Sequence, residues 1–265
     1  MPDLPNFHSA TINAIVDHVG RATLPFHRAH QDDRHATAFW FNELVETVGD
    51  GEVVRQYLVT AGEPARAEIA EFTLRAALCS PQMSAQKLMM VDFAEGWTHL
   101  DGLGVAVMST VGLHAHGERK GWSWTTDEVT DGITATEEDV DGLGEGPVAA
   151  YLLGHVTDEG TTDREQAVVV GEVVRDGSGV RWAGKLPQGC VGAPVFIGAG
   201  LGGQSFKLVC IGVALPGGDH HPIATFDRIR TALRALAPDV AAAPQTIGQK
   251  PPSGAPKRRW WRRSR

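Results

Sequence analysis

Short runs rich in valine, phenylalanine, tyrosine, leucine and threonine recur along this chain, and clusters of glycine, aspartate and proline separate them. That pattern predicts many brief β-strands joined by tight turns. Six runs come first: "RATLPFH", "ATAFWFNEL", "VVRQYLVTAG", "EIAEFTL", "KLMMVDFA" and "LGVAVMSTV". A polar, acidic stretch, "TTDEVTDGITATEEDVDGLGEG", then interrupts them and reads as a long loop between two halves. Behind it lie "PVAAYLLGHV", "QAVVVGEVVR", "GVRWAGKL", "APVFIGAG" and "FKLVCIGVAL". No internal repeat is visible. Helical spacing occurs only near the ends. "SATINAIVDHV" reads as a short amphipathic helix, and "TFDRIRTALRALA" places Phe226, Ile229, Leu233 and Leu236 on one face behind an N-cap candidate, Thr225. The expected fold is all-β: two packed antiparallel six-stranded β-barrels with a short N-terminal helix and a C-terminal helix. The expected organisation is a helix over 1–20, a first barrel over 21–125, an acidic loop over 126–146, a second barrel with its helix over 147–240, and a disordered basic tail over 241–265.

Charge is unevenly spread. The net charge is −8, yet from Lys250 onward there are seven basic residues and no acid. The remaining body carries 17 basic against 32 acidic residues, a balance of −15. Such a body is a poor general binder of nucleic acid. No apolar run reaches the roughly 18 residues that span a bilayer. The N-terminus lacks the basic and apolar regions of a signal peptide. Three cysteines, Cys79, Cys190 and Cys210, make no disulfide framework, so a cytoplasmic location is expected. The closing "KRRWWRRSR" is chemically distinct. Arg258, Arg259, Arg262 and Arg263 suit phosphates, and Trp260 and Trp261 suit a lipid headgroup layer or stacking on single-stranded bases. The same residues are also complementary to the acidic body.

Three segments carry a more specific signal. "YLVTAGEPA" resembles the Leu-Val-Thr-Ala-x-His stretch of bacterial trypsin-like domains, with Glu63 in the histidine slot. "HLDGLGVAVM" resembles the Asp-Val-Ala-Val-Leu strand start, with Gly104 in the aspartate slot. "GCVGAPVF" resembles the Gly-x-Ser-Gly-Gly-Pro-Val run, with Val191 in the serine slot. Upstream, "HATAFWF" resembles the family's Gly-Thr-Gly-Phe strand, with Ala36 and Ala38 in the glycine slots. The order of the segments and their separations, about 40 and about 90 residues, also fit. Residues 20–238 therefore resemble the chymotrypsin/trypsin-like serine protease family.

The resemblance implies the family's fold and, by the same alignment, a degenerate triad. Such a triad needs a hydroxyl to attack, an imidazole to move its proton and a carboxylate to orient the imidazole. Val191 has no lone pair, Gly104 has no side chain, and an ionised Glu63 only accepts hydrogen bonds. The expected function is a catalytically inactive homologue acting as a binding or scaffold module for a protein or peptide. Two alternatives stand beside it. One is an active endopeptidase with a displaced nucleophile, Cys190, or a displaced carboxylate, Asp101. The other is a tether to an anionic membrane or nucleic acid through the tail. The binding positions the resemblance implies are Gly189, Val191 and Gly192, because the N–H groups of Gly189 and Val191 match the oxyanion-hole donors and need a glycine-permissive turn, not a serine.

Other candidate motifs resolve to less specific readings. "HAHGE" places His114 and His116 on one face of a strand, and Glu118 or the pair His220 and His221 would complete a metal site. Core or exposed histidines are the simpler reading, so no metal and no cofactor is expected. "EEDVDGLGE" misses the calcium-loop pattern and reads as a solvated acidic loop. "GAGLGG" lacks the Lys-Ser/Thr of a phosphate loop and reads as a hairpin turn.

Overall fold

The computed structural model describes residues 4–29, 35–49, 51–82, 87–157, 164–177, 179–202, 205–218, 220–236 and 244–248. Helix α1 (Leu4–Val19) leads into β1 (Thr23–Arg28), β2 (His35–Val48), β3 (Gly51–Ala61), β4 (Ile69–Phe72), β5 (Cys79–Ser80), β6 (Leu88–Val91), β7 (Thr98–Leu100) and β8 (Val105–Ser109). Then come α2 (Val111–Lys120), β9 (Ser123–Trp124), β10 (Val129–Thr130) and α3 (Glu137–Asp141). The second half holds β11 (Val148–Thr157), β12 (Arg164–Asp176), β13 (Gly179–Ala183), β14 (Pro194–Gly202), β15 (Ser205–Ala214), β16 (His220–Thr225), α4 (Phe226–Arg234) and β17 (Gln245–Gly248).

Two sheets carry the fold. Among the described residues the first runs β6-β4-β1-β2-β3-β8-β7, with β10 added beside β2 and β17 beside β3, and it stays open as a half-barrel. The second closes into a six-strand ring, β11-β12-β13-β16-β15-β14. The two sheets with terminal helices match expectation, but the first has nine strands and does not close.

Period-two burial explains why these runs read as continuously apolar. In β2, Ala36, Ala38 and Trp40 enter the half-barrel interior beside Phe26, Phe72, Phe93 and Trp97, while Phe39 and Phe41 point the other way. In β11, Ala150 and Leu152 fill the ring, while Tyr151 and Leu153 face the half-barrel. Phe39, Phe41, Tyr57, Val107, Tyr151 and Phe196 thus share a core between the two sheets. Both faces of these strands are buried, so polar alternation is lost. Helices α1 and α4 close that middle core through Ile15, Val19, Phe226, Ile229 and Leu233. Thr225 stands at the N-cap of α4, although its side chain makes no capping bond.

Three local readings change. "HAHGE" lies in helix α2, which ends on Gly121 in the left-handed region at φ +67°. "EEDVDGLGE" opens as helix α3, because Thr136 and Asp139 form a capping box. The acidic segment around it is held down: β10 pairs with β2, Val129 is buried, and Arg21 and Asp127 form an ion pair at 2.6 Å. "GAGLGG" leads from the end of β14 into its hairpin connection with β15, with Gly203 outside the described residues. Finally, the tail expected to be disordered from residue 241 contains β17, which pairs with Gly51–Val54 of β3. Arg258, Arg259, Trp260, Trp261, Arg262 and Arg263 lie outside the described residues.

Candidate functional site

The turn before β14 is held by backbone geometry that only glycine satisfies. Gly189 has φ +88°, and a β-carbon there would lie 2.2 Å from the His155 carbonyl oxygen. Gly192 has φ +86°, and a β-carbon would lie 2.2 Å from Thr60 Oγ1 and 2.4 Å from the Thr37 carbonyl oxygen. Two threonines clamp the turn. The Thr37 N–H donates to the Val191 carbonyl at 2.9 Å, and Thr37 Oγ1 donates to the Gly189 carbonyl at 2.8 Å. Thr60 Oγ1 donates in turn to the Thr37 carbonyl at 2.8 Å. Gly192 N–H donates to the Ala214 carbonyl at 2.8 Å and Ala193 N–H to the Cys190 carbonyl at 3.1 Å. The N–H groups of Gly189 and Val191 find no acceptor among the described residues.

Across from this turn, β3 ends in "TAGEP". Glu63 caps a single 3₁₀ turn, Pro64–Arg66, and its side chain is exposed. Next to it, Gly62 N–H donates to the Gly104 carbonyl at 2.7 Å. Gly104 has φ +68°, and a β-carbon there would lie 3.2 Å from Leu215 Cδ1. A cleft of about 490 Å³ opens here, lined by Phe26, Arg28, His35, Glu63, Pro64, Arg66, Ala67, Val191 and Pro216. Glu63 and Val191 are therefore walls of one cleft. Gly104 does not line it; its carbonyl bonds Gly62, the neighbour of Glu63. Gly189 and Gly192 shape the turn that carries Val191.

The displaced candidates lie elsewhere. Cys190 is fully buried in the core of the ring, with its sulfur 2.7 Å from where a β-carbon on Gly154 would sit. Burial pushes its thiol up to about 12, so a thiolate is strongly disfavoured there. Asp101 lines a second cleft, with Leu103, Glu137 and the α4 face that bears Arg230 and Arg234. Neither side chain joins Glu63 and Val191. The histidines singled out from sequence are structural. His114 stacks on Trp124 with centroids 5.4 Å apart and bonds Gln56 Oε1 at 2.9 Å, and burial holds its pKa low. His116 packs against Trp122, and His220 lies 3.1 Å from an Arg181 nitrogen. Among the described residues no cluster of three or more His, Cys, Asp or Glu side chains is arranged to hold a metal ion.

Sequence reasoning missed Arg28, His35, Arg66 and Pro216 on the cleft wall. Arg28 and His35 sit at the facing ends of β1 and β2, and nothing in the local sequence reports that this hairpin edge opens onto the Val191 turn. His99 was missed as well. Its Nδ1 lies 3.2 Å from a β-carbon placed on Gly62, and burial, then the charge of Arg66, lowers its pKa.

The chain is structurally similar to chymotrypsin-like serine proteases. It superposes on the active form of the Rv3671c protease from M. tuberculosis with a TM-score of 0.50 at 9% identity, over 88% of this chain and 86% of that one. The serine protease of a human pathogenic astrovirus gives a TM-score of 0.40 at 11% identity, over 78% and 90% of the two chains. Serine protease AL20 from an extremophilic microorganism gives 0.43 at 14%, over 82% and 96%. No family model and no curated protein matches the sequence. At 9% identity the likeness to the M. tuberculosis enzyme is one of fold, and that fold is trypsin-like.

Proposed function

We propose that the chain is a trypsin-fold binding module without hydrolytic chemistry, which takes an extended peptide in the cleft beside Val191. The observation that carries this reading is the make-up of that cleft. The wall positions aligned with nucleophile and base are Val191 and Glu63, and the third slot, Gly104, contributes no side chain. A valine cannot attack a carbonyl, and a carboxylate is a poor relay of a proton to a leaving amine near neutral pH. The turn itself supports binding: among the described residues the N–H groups of Gly189 and Val191 find no acceptor, which leaves them as donors for a peptide carbonyl.

Activity-based labelling tests the reading. Fluorophosphonate should label neither the wild-type chain nor Val191→Ser, and neither should turn over a fluorogenic peptide panel. A lone serine would lack a base, and losing only the aspartate from an intact triad costs about 10⁴-fold. The smallest restoration is Glu63→His, Gly104→Asp and Val191→Ser together, with Gly104→Asp strained by its φ of +68°. Stoichiometric labelling of Val191→Ser, or turnover by the wild type that vanishes in Cys190→Ala, would overturn the proposal.

A further inference from the structure

The cleft has a charge that neither a triad nor a plain peptide groove requires. Arg28, at the end of β1, and Arg66, in the turn after β3, both line it. Both are exposed, and among the described residues neither guanidinium has an ion-pair or hydrogen-bond partner. Other arginines on this acidic chain are engaged: Arg21 with Asp127, Arg55 with Glu43, Arg175 with Asp141 and Arg230 with Asp131. Among the described residues Glu63 is the single acid on the same wall, so that lining carries two fixed positive charges against one negative. Apart from His35, the rest of the wall is apolar: Phe26, Pro64, Ala67, Val191 and Pro216.

Resting on the peptide-binding reading above, we propose that this cleft selects a carboxylate-bearing peptide, with the acid held by Arg28 and Arg66 and a neighbouring apolar side chain against Phe26, Pro64 and Pro216. Guanidinium matches carboxylate in a planar, charge-assisted pair, which is stronger and more directional than a neutral hydrogen bond. Two arginines are too few to track a nucleic-acid backbone, and a body of 17 basic and 32 acidic residues over 1–249 repels a polyanion. A single carboxylate flanked by apolar residues avoids that repulsion and uses the apolar wall.

The test is fluorescence polarisation on the full chain with fluorescein-labelled peptides of alternating leucine and glutamate, and their leucine–glutamine counterparts. Each is made with a free and with an amidated C-terminus. The acidic peptide should bind roughly tenfold more tightly than the neutral one. Arg28→Gln and Arg66→Gln should each erase most of that preference, and an unchanged circular dichroism spectrum and melting temperature report that the variants fold. Weaker binding of both peptides on amidation assigns the carboxylate to a chain terminus, and a preference between the amidated peptides assigns it to a side chain. Equal binding of the amidated acidic and neutral peptides, with no weakening on amidation, overturns carboxylate selection and leaves the binding module standing. Failure of both to bind removes the binding module too. Displacement of the acidic peptide by a single-stranded oligonucleotide in about 0.15 M salt overturns the assignment in favour of phosphate.

Discussion

His155 couples stability to pH, and the coupling is large enough to measure. It lies on β11, 2% exposed, directly behind the Val191 turn. A directed chain of hydrogen bonds fixes its state. Arg75 has only donors, so Gln166 must turn its oxygen to Arg75 Nη1 at 3.0 Å and its nitrogen to Thr23 Oγ1 at 2.6 Å. The Thr23 proton is then free to meet His155 Nε2 at 3.1 Å, which calls for an unprotonated nitrogen. Burial is the main force that lowers the His155 pKa to about 3; the Thr23 backbone opposes it, and the charges of Arg75 and Arg164 add to it.

The folded pKa lies below the ordinary value near 6.5, so between those values the unfolded chain binds a proton that the folded chain refuses. Stability from this group is therefore complete above about pH 6.5 and falls as pH drops, at up to about 1.4 kcal/mol per pH unit. From pH 7.5 to pH 5 the loss is about 2 kcal/mol. Urea unfolding at closely spaced pH values across that range measures it. His155→Gln keeps an acceptor for Thr23 and cannot titrate, so its stability should be flatter with pH by that 2 kcal/mol. His99 and His114, whose pKa values are lowered by burial, and Glu43, whose pKa is raised by burial, act alike in both proteins and cancel in the difference. Parallel pH profiles for the two proteins would refute the argument.

Two further outcomes follow from the same framework. Gly192→Ala should cost ~3 kcal/mol or more in urea melts, because it combines a left-handed backbone with overlap against Thr60 and Thr37; a change below 1 kcal/mol would show that the turn relaxes freely. Deleting 249–265 should leave the melting temperature unchanged, whereas deleting 245–265 strips β17 from β3 and should lower it by about 2–4 °C, the shift expected for ~1 kcal/mol in a domain of this size; equal melting temperatures would mean that β17 adds nothing.

Most of the longer strands were legible because they announce themselves through local composition, although β16 of the ring fell in no such run, and the segments around Glu63, Gly104 and Val191 stood out because turn glycines and their neighbours keep a recognisable order. What escaped has a common cause. Helix α2 hides because Gly112 and Gly117 dilute its helical character, and Gly117 is required there: a β-carbon would lie 2.9 Å from Trp124. Strand β17 hides because a four-residue edge strand takes its stability from β3, not from its own sequence. The open form of the first sheet, with β6 and β7 as its ends, depends on pairings between distant segments that no local window contains.

The cleft shows the same division between local and distant information. Thr37 and Thr60 each appear in a quoted strand, but their role is to hold a turn more than a hundred residues away through Gly189 and Val191. Those bonds run through backbone atoms and hydroxyls and use neither Glu63 nor the Val191 side chain. The scaffold that presents the turn is therefore independent of the groups a triad would need. Arg28, His35 and Arg66 line the cleft that this scaffold borders. Their identity, not that of the three aligned slots, is where this chain's own specificity should be sought.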